Sequence, residues 1–284
     1  MDKSSTIATK PFGYLICCLF IFLSCAMHAQ DLLRGTVLSN ENGKPLPYVN
    51  IGIVHRSLGT VTDEHGNFNF FIPADNHKDS IQISMIGFES RTFLVREFIE
   101  IMLENPTIKL NGKAEELLEV VVSNRKLKTK ILGNRSTSRK NYYEASAEFL
   151  GSEVGVKIKI KRAPTYLKKF NVRMLTKKHE RFKFRLNIYN IKDGLPNQNL
   201  LKDNIIVDAR DIKEGQIEVN LEPYEIYVED DFFVTLEWIQ GDGKKKLRFP
   251  ANLFGPQVVE RATSHAKWNK HSLASIGFNV TVTY

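Results

Sequence analysis

Along most of the chain, apolar and polar residues alternate one for one instead of recurring every three or four positions. Leu33 to Leu38, Val49 to Val54, Asn67 to Ile72, Ser80 to Ile86 and Arg91 to Val95 are short apolar or alternating runs, bounded by Gly, Pro, Asn and Asp. A period of two puts successive side chains on opposite faces of an extended backbone, so each run predicts a strand. Val95 to Met102 admits a helical turn, but it carries little weight against the alternation around it. Asn105-Pro106 is a breaker, Thr107 to Leu110 a short strand, Asn111-Gly112 a turn, and Leu117 to Val122 a last strand of this region.

The second half repeats the pattern. Val156, Ile158 and Ile160 alternate with Lys157, Lys159 and Lys161; Phe182, Phe184, Leu186 and Ile188 alternate with Lys183, Arg185, Asn187 and Tyr189; Ile217, Val219 and Leu221 alternate with Glu218, Asn220 and Glu222. Each predicts a strand with one dry face and one wet face. Phe232 to Ile239 is apolar on nearly both faces and predicts a central strand. Turn chemistry falls between them at Lys192-Asp193-Gly194-Leu195-Pro196, Glu214-Gly215 and Gly241-Asp242-Gly243. Between the halves, Asn124 to Asn141 is polar and basic, with only Ile131 and Leu132 to bury, and reads as a linker. The expected organisation is a leader at 1–29, a β-domain at 30–123, a basic linker at 124–144 and a second β-domain at 145–284.

The first domain carries its own punctuation: Arg34-Gly35-Thr36-Val37, then Gly43-Lys44-Pro45-Leu46-Pro47-Tyr48-Val49-Asn50-Ile51, then Gly59-Thr60-Val61-Thr62-Asp63-Glu64-His65-Gly66-Asn67-Phe68, and later Ile86-Gly87-Phe88-Glu89. The Asp63 to Gly66 connection suits a type I turn closed by a residue at positive φ, which glycine adopts freely. This order resembles the carboxypeptidase regulatory-like domain, over residues of about 32 to 104. The resemblance implies a seven-stranded transthyretin-like β-sandwich, an accessory domain in its family. Glu116 to Ser123 resembles the exit that follows this domain in TonB-dependent receptors; a β-branched edge strand reads the same way. The strand and turn succession from Lys183 to Trp238 resembles the jelly-roll modules of secreted bacterial adhesins and carbohydrate-binding proteins. The expected fold class is all-β: a seven-stranded transthyretin-like sandwich followed by a jelly-roll-like β-sandwich.

At 284 residues, 42% hydrophobic and 25% charged, the chain has material for two cores. Lys3 and Lys10 precede an apolar run from Phe12 to Met27 that ends near the small residue Ala29, the pattern of a secretory signal cleaved after Ala29. Phe22-Leu23-Ser24-Cys25 offers a second processing reading, lipidation at Cys25. Cys17, Cys18 and Cys25 all lie in this leader, so the cleaved protein would hold no thiol for a disulfide, a zinc site or a nucleophile. The expected location is exported: periplasm, outer-membrane surface or secreted.

Enzymatic chemistry finds little to stand on. A zinc carboxypeptidase needs His-x-x-Glu and a distant His, and none of the seven histidines has Glu three residues later. His179-Glu180 are adjacent, so on a strand they face opposite ways. Nucleophile elbows and phosphate-binding glycine loops are absent from the sequence. Glu229-Asp230-Asp231 lacks the spacing of a calcium loop and reads as a solvated turn. No cofactor or metal is expected.

Charge is uneven within a formal +8. Bases dominate from Arg125 to Arg185 and acids from Leu186 to Trp238. Two readings follow: pairing across adjacent strands, or a basic face at Lys157, Lys159 and Lys161 for an anionic ligand such as lipopolysaccharide phosphate or an acidic glycan. Trp238, Trp268, Tyr166 and Tyr189 would furnish either a sugar-stacking platform or core. The expected function is a non-catalytic envelope protein for binding, adhesion or assembly, with glycan, lipopolysaccharide or envelope proteins as partners and no nucleic acid. Two alternatives remain. Ile276, Phe278, Val280, Val282 and Tyr284 alternate like the last strand of an outer-membrane barrel, which would make the second domain a small membrane-embedded barrel. The other is a hydrolase whose site carries no familiar motif.

Overall fold

The computed structural model describes residues 30–113, 127–175, 182–208, 215–241 and 245–284. The leader with Cys25 and Ala29, the Leu117 to Val122 strand and His179-Glu180 lie outside the described residues. The first domain comprises β1 (Gln30–Ser39), β2 (Asn50–Ile53), β3 (Gly59–Val61), β4 (Asn67–Pro73), β5 (Ser80–Ser84), β6 (Arg91–Leu94), α1 (Val95–Glu104) and β7 (Thr107–Leu110). Its seven strands form two sheets, β4-β1-β7 and β3-β2-β5-β6. Val37, Phe68, Phe70 and Ile72 from one meet Ile51, Ile53, Ile81 and Ile83 from the other in a continuous core.

Val95 to Met102 corrects the sequence reading: it lies in a helix of ten residues, not an incidental turn. Its buried residues, Val95, Phe98, Ile99 and Met102, fall at the spacing of one helical face, which the short flanking strands obscured. That helix explains the glycine of the first motif. A Cβ on Gly35 would lie 2.2 Å from Met102 Cε and 2.9 Å from the Pro106 carbonyl oxygen, so the helix seats only over glycine. Gly66 has φ +75° and closes the turn opened by Asp63, whose carboxylate accepts from the His65 and Asn67 amides at 2.8 Å each.

The second domain runs through β8 (Thr129–Gly133), β9 (Tyr142–Ala147), β10 (Glu153–Ile158), β11 (Thr165–Arg173), β12 (Lys183–Lys192), β13 (Leu195–Asn199), β14 (Ile205–Asp208) and β15 (Gln216–Asn220). It continues with β16 (Tyr227–Val228), β17 (Phe232–Gln240), β18 (Lys245–Leu253), β19 (Val258–Arg261), β20 (Asn269–His271), β21 (Ala274–Ile276) and β22 (Phe278–Thr283). The largest sheet has the order β13-β12-β17-β10-β19-β20, with β14 also on β12; the second has β15-β11-β22-β8, with β16 on β11; the third is β21-β18-β9. Phe184, Leu186 and Ile188 of β12 and Val234, Leu236 and Trp238 of β17 share one core with Phe170 of β11 and Phe278, Val280 and Val282 of β22. Among the described residues both larger sheets end in open edges around this filled interior, and the alternating carboxyl-terminal strand packs one face into a sandwich core. The all-β sandwich class is what the structure shows. The Phe232 strand is central, as expected, and buried along eight of its nine residues.

Two sequence readings change. The stretch read as a linker at 124–144 supplies β8, which pairs with β22 from Thr129↔Thr283 to Gly133↔Asn279, because Leu132 has a core to enter. The face of β12 read as wet is dry: Arg185 and Asn187 are each 1% exposed. The first domain lies over it.

Candidate functional site

The covered face of the largest sheet carries a row of charges set by strand register. Arg185 of β12 stands opposite Glu237 of β17, Glu237 opposite Glu153 of β10, and Glu153 opposite Arg261 of β19. Arg185 Nε lies 3.4 Å from Glu237 Oε2, and Arg261 Nη2 lies 2.5 Å from Glu153 Oε2. The two carboxylates are cross-strand neighbours and would repel, but Asn187 Nδ2 donates to both, at 2.9 and 3.0 Å. Thr235 donates to Glu153, and Ser264 Oγ donates to Glu237 at 3.3 Å. The row therefore sums to zero net charge, an arginine at each end and two hydrogen-bonded carboxylates between them, with Arg185 Nε the one atom of the row buried without a hydrogen bond among the described residues.

The motif of the first domain builds the opposing wall. Thr62, fully buried, donates to the Leu46 carbonyl at 2.9 Å and accepts from the Val49 amide at 2.8 Å, which fixes the loop between them. Tyr48 sits in that loop at φ +61°, and its carbonyl accepts from Arg185 Nη2 at 2.5 Å. Its ring packs with Val61 and Ile239, and its hydroxyl accepts from Lys183 Nζ at 2.7 Å. Lys183 also pairs with Glu64 at 2.5 Å, holding that carboxylate below its ordinary range. The first domain thus docks through a buried arginine, a small apolar contact, a rim ion pair and the 263–265 segment, where the His55 amide donates to the His265 carbonyl at 2.8 Å.

Beside this contact opens a cleft of about 870 Å³. Its floor is Arg185, Glu237 and Arg261 of the charged row, with Asn187; its walls are β5, the loop after β5, and the segment 197–204. Six carboxamides stand on these walls, Asn50, Gln82, Asn197, Gln198, Asn199 and Asn204, beside the charged Lys113, Lys202 and Asp203. Asn199 Nδ2 donates to Asn187 Oδ1 at 2.9 Å, and Asn190 Oδ1 accepts from the Gln198 amide at 2.8 Å, so the amides also pin their own loop. Asn204 Oδ1 is buried without a hydrogen-bond partner.

His265 enters the cleft from a left-handed backbone, φ +69°, and its Nε2 lies 3.2 Å from Ser84 Oγ. Burial pushes its pKa down to about 4, with Arg261 adding to the effect and Glu237 opposing it, so the ring is neutral at pH 7. Serine and histidine at this distance resemble a nucleophile and its base. The set lacks what activates one: among the described residues no carboxylate bonds the imidazole, and Ser84 ends a strand instead of occupying a strained elbow.

The lysines named from sequence lie at the other end of β10. Lys157, Lys159 and Lys161 all line one groove of about 600 Å³, but only Lys157 is on the strand, and it pairs with Asp231 at 3.2 Å. Lys169–Glu218 at 2.7 Å and Lys168–Glu222 at 2.8 Å likewise join the basic and acidic halves of the chain. The four aromatics do not form a platform. Trp238 is core, Tyr189 is buried on Glu153, Trp268 covers Tyr189, and Tyr166 stacks on Tyr227 elsewhere. The cleft itself escaped sequence reading; its one signal was Glu237, a lone charge inside a run apolar on both faces.

Comparison with known proteins bears on the first domain. The TonB-dependent receptor P3 of Formosa agariphila is 32% identical over 120 residues, a match that covers 41% of this chain and 11% of the receptor. The chain thus spans about a tenth of that relative's length. Among solved structures, a chain of the T13 IBDV viral particle superposes over 89% of this chain and 60% of its own, with a TM-score of 0.27 and 10% identity. A chain of the infectious bursal disease virus VP2 subviral particle gives a TM-score of 0.25 with 8% identity, covering 89% of this chain and 63% of its own. Both likenesses are too slight to assign anything to this chain. Residues 33–122 match the family model of the CarboxypepD_reg-like domain, and this region of the chain is such a domain.

Proposed function

We propose that the protein is a non-catalytic binding protein of the bacterial envelope, and that the interdomain cleft takes a neutral, hydroxyl-rich ligand of the glycan class. The observation that carries this reading is the cleft's charge state. Its floor is ionic but internally neutralised, its histidine is uncharged, and its walls carry six carboxamides, with Lys113, Lys202 and Asp203 as the charged residues among them. Amide donors and acceptors in a walled cleft of this size match hydroxyl groups, and a formally charged ligand would find no unpaired counter-ion on the floor. The envelope location rests on the export pattern of the leader and on the likeness of the first domain to part of a TonB-dependent receptor.

Screening the exported protein on a glycan array tests it. Retention of neutral oligosaccharides that falls at least tenfold in Gln198→Ala/Asn199→Ala is the expected result. Retention confined to acidic glycans, or unchanged in the double variant, would overturn it. The hydrolase reading keeps one favourable observation, the Ser84–His265 contact. Turnover of ester or glycoside substrates that disappears in both Ser84→Ala and His265→Ala would establish that alternative in place of a non-catalytic role.

A further inference from the structure

Strand β10 begins at Glu153, bonded to the cleft residues Asn187 and Arg261, and ends at Ile158, where the surface has a different character. Past β18 the chain turns through Phe254 at φ +59°, and Leu253 and Phe254 stand 74% and 78% exposed. Leu273, 70% exposed, is their neighbour, since the Phe254 amide donates to the Leu273 carbonyl at 3.2 Å. Single exposed apolar residues are ordinary; three large ones meeting on two adjoining turns are a patch.

Cations flank this tip. Gly255, Pro256 and Gln257, directly after Phe254, form one wall of the groove that Lys157, Lys159 and Lys161 also line. Lys157 is occupied by Asp231, whereas Lys159 and Lys161 are exposed and have no ion-pair partner among the described residues. Ile131, 47% exposed, lines the groove from β8, the edge strand that also carries Lys130. Arg162 follows Lys161 and lies over the ring of Tyr284. The groove's lining holds these three lysines and, among the described residues, no acidic one, and Asp231, which follows Glu229 and Asp230 in sequence, is taken up by Lys157.

We infer that this tip docks the protein on an anionic lipid bilayer surface. The occupant follows from the two features together. An apolar tip backed by ammonium groups matches a medium whose apolar layer lies under negatively charged headgroups. Leu253, Phe254 and Leu273 enter the acyl boundary, and the lysines remain at phosphate depth on their flexible stems. The cleft lies at the opposite end of β10 and stays open to solvent when the tip is seated.

The test is vesicle sedimentation with the chain expressed as Cys25→Ala, exported and purified, so that no attached lipid contributes. The vesicles are phosphatidylcholine alone or with about a third phosphatidylglycerol. Wild type pellets with the anionic vesicles and is released about tenfold by raising salt. Phe254→Asn/Leu273→Ser, in which asparagine tolerates the left-handed backbone, lowers the pelleted fraction on anionic vesicles at least about fivefold. Lys159→Glu/Lys161→Glu does the same on anionic vesicles and changes nothing on neutral ones. Because the altered side chains are exposed, each variant keeps the wild-type melting temperature within a few degrees. Equal pelleting of wild type and both variants overturns the inference. So does a wild type that ignores vesicles but sediments as a dimer dispersed by Phe254→Asn/Leu273→Ser, which would give the tip to a second copy.

Discussion

The two ends of β10 present charge in opposite ways. At its start, Glu153 is 3% exposed and bonded to Arg261, Asn187 and Thr235. Past its end, Lys159 and Lys161 stand in solvent without partners among the described residues. Charged residues six and eight positions apart do different work because solvent differs. Out of water an ion is stable only when its partner and hydrogen bonds are built in, so the buried row fixes the register of four strands and the seating of a domain. In water an ion pair is worth little, and an unpaired lysine is available to whatever anionic surface approaches.

The sharpest way to break this contrast is Glu237→Ala. It leaves Arg185 buried without its carboxylate, and we expect a loss of about 3–5 kcal/mol in chemical denaturation. Glu237→Leu with Arg185→Met, which removes both charges, should lose clearly less. If the single change costs under about 1 kcal/mol, the row is not the buried network described here. Next in size is pH. His265 has its folded pKa depressed to about 4 from an ordinary 6.5, so between those values the unfolded chain binds more protons than the folded one. The contribution of the neutral ring is present above pH 6.5 and is lost as pH falls through 4, about 3 kcal/mol in all. Stability measured across that window should fall more steeply in wild type than in His265→Gln; parallel curves would remove His265 as the cause.

At the rim of the domain contact the expected effect shrinks. Glu64, half exposed, pairs with Lys183, and Lys183→Met should cost about 0.5–1 kcal/mol, with much of it masked at high salt. A loss as large as that of Glu237→Ala would mean that the rim, not the buried row, seats the domain. Smallest of all, Lys159→Glu/Lys161→Glu should leave stability within about 0.5 kcal/mol while altering vesicle binding. Destabilisation beyond that would show these lysines to have structural partners.

Much of this was open to reading in the chain itself. Alternation located Thr107–Leu110 and the central Phe232 strand, and the glycine, proline and Thr62-Asp63 motifs gave the first sandwich, since turns and pleats depend on neighbours in sequence. Val95 to Met102 held a complete helical stripe, but in a stretch this short it was weighed against the strands on either side. The 124–144 stretch had too few apolar residues to announce β8; Leu132 became core because the edge of β22 and the core beneath it were waiting for it.

What the sequence determined by itself was the two-residue period, the turn positions and the family of residues 33–122, because each depends on backbone conformations and side-chain order within a few residues. It also placed Lys157, Lys159 and Lys161 together, since alternating residues stay close wherever the chain goes. The tertiary structure alone decided that the polar side of β12 is buried. Alternation distinguishes two faces of a strand but does not say what covers either, and here the cover is Tyr48 and its loop, 137 residues away from Arg185. The cleft exists only where those distant segments meet.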